Sequence, residues 1–251
     1  MHLNDYFTEI GRSVSFTESQ ASAFAKGVAG DFNPLHDPGH KRFCVPGDLI
    51  FSVLLHYFGI AGTSAVQFSG MLDGKTCMQL PELADEHTPI ADANGKTLLS
   101  LFFQGTRINN ADFIAALSEQ YVRFSGKTFP DILVPLMREA EVMINPDRPM
   151  VIYKDMSIEL SDAVFPILSE GAESLSAIRL ELSGSDISIH GRKGAVNLQF
   201  TIAANGLLVG KGEKNMVLSG LRAYDDSAMQ DVVSQYNQWR REWLDSEQGV
   251  S

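Results

Sequence analysis

The chain has 251 residues, 44% hydrophobic and 20% charged, the balance of an ordinary globular protein long enough for one large domain or two small ones. Its 31 acidic residues against 20 basic ones give a formal charge of −11, which argues against a nucleic-acid partner because phosphate binding needs a concentrated basic surface. Cys44 and Cys77 are the only cysteines and Met1–Tyr6 has no basic stretch leading into an apolar core, so no disulfide framework or secretion signal is expected and the location is cytoplasmic.

After an opening strand, Thr17-x-x-Gln20 forms a capping box, and Ala21, Phe24, Ala25 and Val28 follow at helical spacing until Gly30. This helix delivers the segment Gly30-Asp31-Phe32-Asn33-Pro34-Leu35-His36. Pro34 forces Asn33 out of the α region, so the segment folds and Asp31 and His36 can face one small gap. A carboxylate that takes a proton and an imidazole that orients water or returns one suit addition of water to an activated double bond. The structural alternative is an Asn-Pro turn in which Asp31 bonds backbone amides and His36 is merely packed.

Pro46 then stands at the first position of a second helix, Asp48 complements its N-terminus, and Leu49–Phe58 is apolar on nearly every face before Gly59 ends it. A sheet must wrap such a helix. The apolar run Leu49–Ala61 is shorter than the ~20 residues of a membrane span, so no membrane partner is expected. Strands are predicted at Ser64–Phe68, Thr76–Leu80 and Thr97–Thr106, with a turn at Asn94-Gly95 before the last. In the second half, Phe129-Pro130-Asp131-Ile132-Leu133 echoes Val45-Pro46-Gly47-Asp48-Leu49, and each is read as opening an apolar helix followed by strands. Those strands are predicted at Val151–Glu159, Ala177–Leu182, Ile187–His190, Ala195–Ala203 and Leu207–Leu218. Asp225-Asp226-Ser227 opens a final helix carrying Met229, Val232, Val233, Tyr236 and Trp243 along one stripe, which packs on the body or forms a dimer contact; Gln248–Ser251 is a frayed tail.

Gly30-Asp31-x-Asn33-Pro34-Leu35-His36, with a buried helix after it, resembles the catalytic signature of the MaoC-like (R)-specific enoyl-CoA hydratases, a branch of the hot-dog fold. The resemblance implies Asp31 as general base, His36 as the partner that positions water and supplies the proton, and Asn33 as an organiser of both. Backbone N–H groups at the buried helix's N-terminus can stabilise charge on a thioester oxygen, and Gly47 is the candidate donor because no side chain obstructs the approach. Two departures stand beside this site: Pro46-Gly47 replaces the family's usual His-Gly, and His36-Asp37-Pro38 is one residue shorter than its His-x-Asp-Pro. Over most of its length the chain also resembles a family of uncharacterised bacterial proteins, through Lys41-Arg42-Phe43-Cys44-Val45-Pro46-Gly47-Asp48-Leu49 and Phe129-Pro130-Asp131-Ile132-Leu133-Val134-Pro135-Leu136.

The implied fold is α+β, a double hot-dog of two curved antiparallel sheets that each wrap a long buried helix. Residues 1–110 form a first unit with the motif, 111–225 a second unit without it, and 226–251 a helix and tail, as a monomer or a homodimer. The expected partner is an acyl thioester, acyl-CoA rather than an acidic acyl carrier protein, with Lys41 and Arg42 as candidate phosphate contacts. No cofactor and no metal is expected: Pro38 and Gly39 keep His36 and His40 off a common helical face. His56 is read as a core or tunnel-wall residue, His190 as a strand residue and Cys44 as a small buried hydrophobe. Reversible hydration of a 2-enoyl thioester leads; a non-catalytic acyl-thioester or fatty-acid binding module, or an interaction protein joined through the C-terminal helix, are the alternatives.

Overall fold

The computed structural model describes residues 1–82, 84–170 and 177–248. Helix α1 (Glu18–Ala23) begins with the expected capping box, in which Thr17 accepts from the Gln20 amide and Gln20 reaches back to the Thr17 N–H. The helix continues as a wider π turn over Phe24–Ala29 and stops at Gly30, whose φ of 71° is left-handed. Asp31 follows at once. Helix α2 (Gly47–Phe58) starts one residue later than expected, with Pro46 outside it, and it has almost no polar face. Leu49, Ile50, Phe51, Val53, Leu54 and Leu55 are each at most 1% exposed, so the rest of the chain has to cover this helix on nearly every side, and only near its end does His56, expected in the core or a tunnel wall, stand exposed.

A ten-stranded antiparallel sheet provides most of that cover. Its strands are β1 (Thr8–Ile10), β2 (Ser13–Ser15), β3 (Ile60–Phe68), β4 (Cys77–Gln79), β5 (His87–Ala91), β6 (Thr97–Ile108), β8 (Val151–Leu160), β9 (Arg179–His190), β10 (Lys193–Ala204) and β11 (Leu207–Ser219). They lie in the order β1-β2-β4-β5-β6-β3-β8-β11-β10-β9, so strands from the two halves of the sequence meet only where β3 pairs with β8, with Ala65 opposite Ser157. A small second sheet pairs β7 (Val142–Met143) with β12 (Arg222–Ala223).

Several expectations need correction. The helix expected to open at Phe129 is instead a short one, α4 (Leu133–Glu139), with Pro135 in its first turn where a missing N–H costs nothing. The long second helix precedes it. Helix α3 (Ala111–Ser125) is capped by Asn110, which accepts from the Phe113 amide at 2.9 Å, and buries Phe113, Leu117, Tyr121 and Phe124. Its Tyr121 ring meets Phe51 of α2 and Phe200 of β10 at 4.9 and 5.6 Å, so one apolar cluster joins both halves. The strands expected at Ala177–Leu182 and Ile187–His190 are one strand, β9, because a bulge at Ser183 lets the pairing with β10 run on. Strand β5 and helix α5 (Val164–Glu170) were not foreseen.

The final helix, α6 (Asp226–Gln248), packs on the body through Met229 and Tyr236, 1% and 4% exposed. The tail proposed for Gln248–Ser251 lies, beyond Gln248, outside the described residues. Among the described residues no helix is long and apolar enough to cross a membrane.

One buried ion pair ties α2 to the far half of the sheet. Lys214 of β11 is completely buried, and its ammonium donates to Asp48 Oδ1 at 2.8 Å, to the Tyr121 carbonyl at 3.2 Å and to Ser125 Oγ. It also lies 3.6 Å from the centre of the Tyr121 ring. Burial lowers the lysine pKa, and the Asp48 charge and hydrogen bond oppose that shift. Replacing Lys214 by Met strands the Asp48 carboxylate, so urea unfolding should show a loss of about 3–5 kcal/mol, and adding Asp48→Asn should recover most of it. A single variant as stable as the parent protein would contradict the pairing.

Candidate active site

The motif turn is fixed by its own backbone. Asp31 donates its amide to the Ala25 carbonyl at 2.8 Å, and its Oδ1 accepts from the Asn33 amide at 2.9 Å. Asn33 is extended, with ψ of 122°, as a residue before proline must be, and its Oδ1 accepts from the Leu35 amide at 3.1 Å. That bond caps a single 3-10 turn, Pro34–His36, which places His36 on the same side as Asp31. Asn33 therefore organises the pair through the backbone.

His36 Nε2 lies 3.5 Å from Asp31 Oδ2, while Nδ1 lies 2.7 Å from the Cys44 carbonyl oxygen. A carbonyl can only accept, so Nδ1 carries a proton. Nε2 then either donates to Asp31 as part of an imidazolium or, in neutral imidazole, stands beside the carboxylate as a second acceptor. Such a pair can grip a proton donor between them. Burial pulls the His36 pKa down, but the hydrogen bond and charge of Asp31, the Cys44 carbonyl and the more remote Asp48 charge outweigh it, leaving the pKa raised. Asp31 is less enclosed, with a side chain 30% exposed against 11% for His36.

Both side chains open onto a cavity of about 720 Å³ whose wall is largely apolar. Gly47, the first residue of α2, is also on that wall, and a Cβ there would come within 2.9 Å of Tyr153 and 3.1 Å of Met156. Glycine is what lets the helix N-terminus and Tyr153 approach this closely. The first N–H groups of α2 are free of its internal ladder, so they can serve an acceptor in the cavity. Asp31, His36, Asn33 and Gly47 are thus brought to one cavity.

Lys41 and Arg42 are not among its lining residues, and the Arg42 guanidinium instead contacts Met150 Sδ at 3.4 Å. The cations on the wall are Lys154 and Arg222. Cys44 lines the cavity, but burial pushes its thiol up to about 12, so it stays protonated; the site uses its carbonyl. Sequence reasoning missed Tyr153, Ser125 and Thr128, all on the wall, and the Thr128 hydroxyl is buried with no hydrogen-bond partner among the described residues. It also missed what Tyr236 does, although that residue was visible in the apolar stripe. The Tyr236 hydroxyl accepts from the Phe32 amide at 3.1 Å and donates to the Gly30 carbonyl at 3.2 Å.

Residues 1–227 match the model of a family described as protein of unknown function (DUF3581). The chain belongs to this family. No curated protein matches the sequence. Among solved structures, this DUF3581 chain is similar to a conserved protein of unknown function with hot dog fold from Alicyclobacillus acidocaldarius, with a TM-score of 0.46, 10% identity, and coverage of 87% of this chain and 98% of the other. A MaoC-like dehydratase gives a TM-score of 0.42 at 10% identity, covering 86% of this chain and 98% of the other. An acyl-CoA thioesterase II from Mycobacterium marinum gives 0.40 at 11% identity, covering 90% and 99%. All three scores lie below 0.5, and the chemistry of the site rests on this chain's own residues.

Because the folded His36 has a raised pKa, it stabilises the fold fully below its unfolded value of about 6.5, and that contribution disappears as pH rises through the folded value. As pH rises above about 6.5, the melting temperature of the parent protein should therefore fall more steeply than that of His36→Gln. Equal slopes would show that Asp31 does not hold His36 charged.

Proposed function

We propose that this DUF3581 protein adds water reversibly to a 2-enoyl thioester, and that it does so as a double hot-dog with its site beside the first buried helix. In this reading residues 1–110 and 111–225 are the two units and 226–251 an added helix and tail. The pairing of β3 with β8, the one place where strands of the two halves meet in the large sheet, supports the division, and each half contributes one long helix, α2 and α3, to the shared core. The location we propose is the cytoplasm, in keeping with two free thiols.

The observation that carries the reaction is that Asp31, His36 and the N-terminus of α2 share one apolar cavity. Water held by Asp31 and His36 gives one proton to Asp31 as its oxygen bonds to C3 of the enoyl group. The electron pair of the C2–C3 double bond moves towards the thioester oxygen, where the Gly47 N–H lowers the cost of the developing charge; loss of such a donor typically costs ~3–4 kcal/mol of barrier. Imidazolium His36 delivers a proton to C2, and Asp31 returns its own to His36. A raised His36 pKa supports this role because it keeps a proton donor available close to neutral pH. The same groups run dehydration in reverse.

An acyl-CoA suits the site better than an acyl carrier protein, since a chain of net charge −11 repels an acidic partner at long range. The anionic end of the carrier is assigned to Lys154 and Arg222 in place of Lys41 and Arg42, because only the former pair lines the cavity. With a short-chain enoyl-CoA, Asp31→Asn and His36→Ala should each slow turnover by about 10²-fold or more. Lys154→Ala or Arg222→Ala should raise KM about fivefold with kcat held, the effect of about 1 kcal/mol from an exposed charge. Saturable binding without turnover across chain lengths would replace the hydratase reading with a non-catalytic acyl-binding module.

A further inference from the structure

The family match ends at residue 227, and the helix beyond it supplies a wall of the cavity through Asp231, Val232, Gln235, Tyr236 and Trp239. Tyr236 is the residue that reaches the motif. Its hydroxyl bridges the backbone on both sides of Asp31, accepting from Phe32 N and donating to Gly30 O, across more than 200 positions of sequence. Its ring stands edge-on to Phe32 at 5.8 Å and to Phe129 at 5.0 Å, and only 4% of the residue is exposed. A tyrosine so enclosed has few rotamers open to it, and its two hydrogen bonds are shielded from competing water.

Asp31 needs such a brace. It directly follows a left-handed glycine at the end of a π-wound turn, where the Gly30 and Asp31 amides both end on the Ala25 carbonyl and the next amide, that of Phe32, is met only by Tyr236 among the described residues. Without the bridge, the buried Phe32 amide and the half-buried Gly30 carbonyl would lose these partners.

We infer that Tyr236 is a positioning residue for Asp31, and that helix α6 is therefore part of the active site as well as a covering element. Tyr236 acts through the backbone that carries the carboxylate. The inference rests on the hydratase reading for its catalytic meaning, but its geometric content stands apart from turnover. The hydroxyl's pKa is raised by burial first and by the Asp31 charge second, in keeping with the carboxylate standing close by.

The full-length protein tests this with Tyr236→Phe, which removes the bridge and keeps the ring. NMR titration of the His36 imidazole should show its pKa falling towards the ordinary value, because Asp31 is no longer held beside it. Asp31 and Asp48 are the charged groups that raise that pKa, and Asp48 is untouched by the substitution. Val233→Ala, which loosens α6 without reaching the hydroxyl, should leave the titration where it is. In turnover, Tyr236→Phe should lower kcat about tenfold or more with little change in KM. An unmoved His36 titration in folded Tyr236→Phe, or an equal shift in Val233→Ala, overturns the inference. Should Tyr236→Phe fail to fold, hydrogen exchange of the Phe32 amide in the parent protein decides: strong protection supports the bridge, and exchange at the rate of an open loop overturns it. Absence of turnover in the parent protein sinks the hydratase reading alone, and the titration still judges Tyr236.

Discussion

A helix with almost no polar face governs this molecule. Nearly every side of α2 must leave water, and at roughly 25 cal/mol per Å² of apolar surface buried the covering elements gain more from meeting it than from any polar contact they make. The sheet covers it, α3 lies along it, and both halves of the sequence join in one apolar cluster around it. The same burial makes its N-terminus expensive, because unpaired N–H groups and an acidic residue have to be accommodated there. Lys214 answers the charge of Asp48, and the cavity receives the end of the helix at Gly47.

The site is the place where this demand meets the motif turn. Asp31 and His36 are held from three directions: the end of the π turn from Ala25, the Asn-capped 3-10 turn from Asn33, and the α6 bridge from Tyr236. Each bond is ordinary, about 1 kcal/mol in net stability, yet together they remove the freedom that a carboxylate on a turn would otherwise have. The apolar wall then raises the worth of each fixed charge, since little solvent is left to screen it. One consequence falls on His36, where burial is outweighed by Asp31, the Cys44 carbonyl and the Asp48 charge together.

What the sequence disclosed was short in range. The Thr17–Gln20 box, the helix end at Gly30, the Asn33-Pro34 turn and the apolar run of α2 are each decided within a few residues, and all four appear as read. Helix α3 was legible in principle, since Asn110 caps a run of apolar residues at helical spacing, whereas the echo at Phe129 is a likeness of five residues that the fold does not use to open a long helix. Lys214 left a fainter trace: it falls on the inward alternation of β11 with Gly212, Met216 and Leu218, where a charge asks for a buried partner. Nothing local names Asp48 as that partner, and nothing local joins Tyr236 to Gly30 and Phe32. Such pairings are set by how the layers stack, which periodicity does not encode.

The central claim is that the Asp31–His36 pair delivers water to carbon of an enoyl thioester. The most direct measurement is product analysis after incubating the protein with a 2-enoyl-CoA in water enriched in oxygen-18. The account requires 3-hydroxyacyl-CoA with the label in the hydroxyl group, and loss of that product with Asp31→Asn. Label found in a free carboxylic acid, with CoA released, would mean attack on the thioester carbonyl and would contradict it.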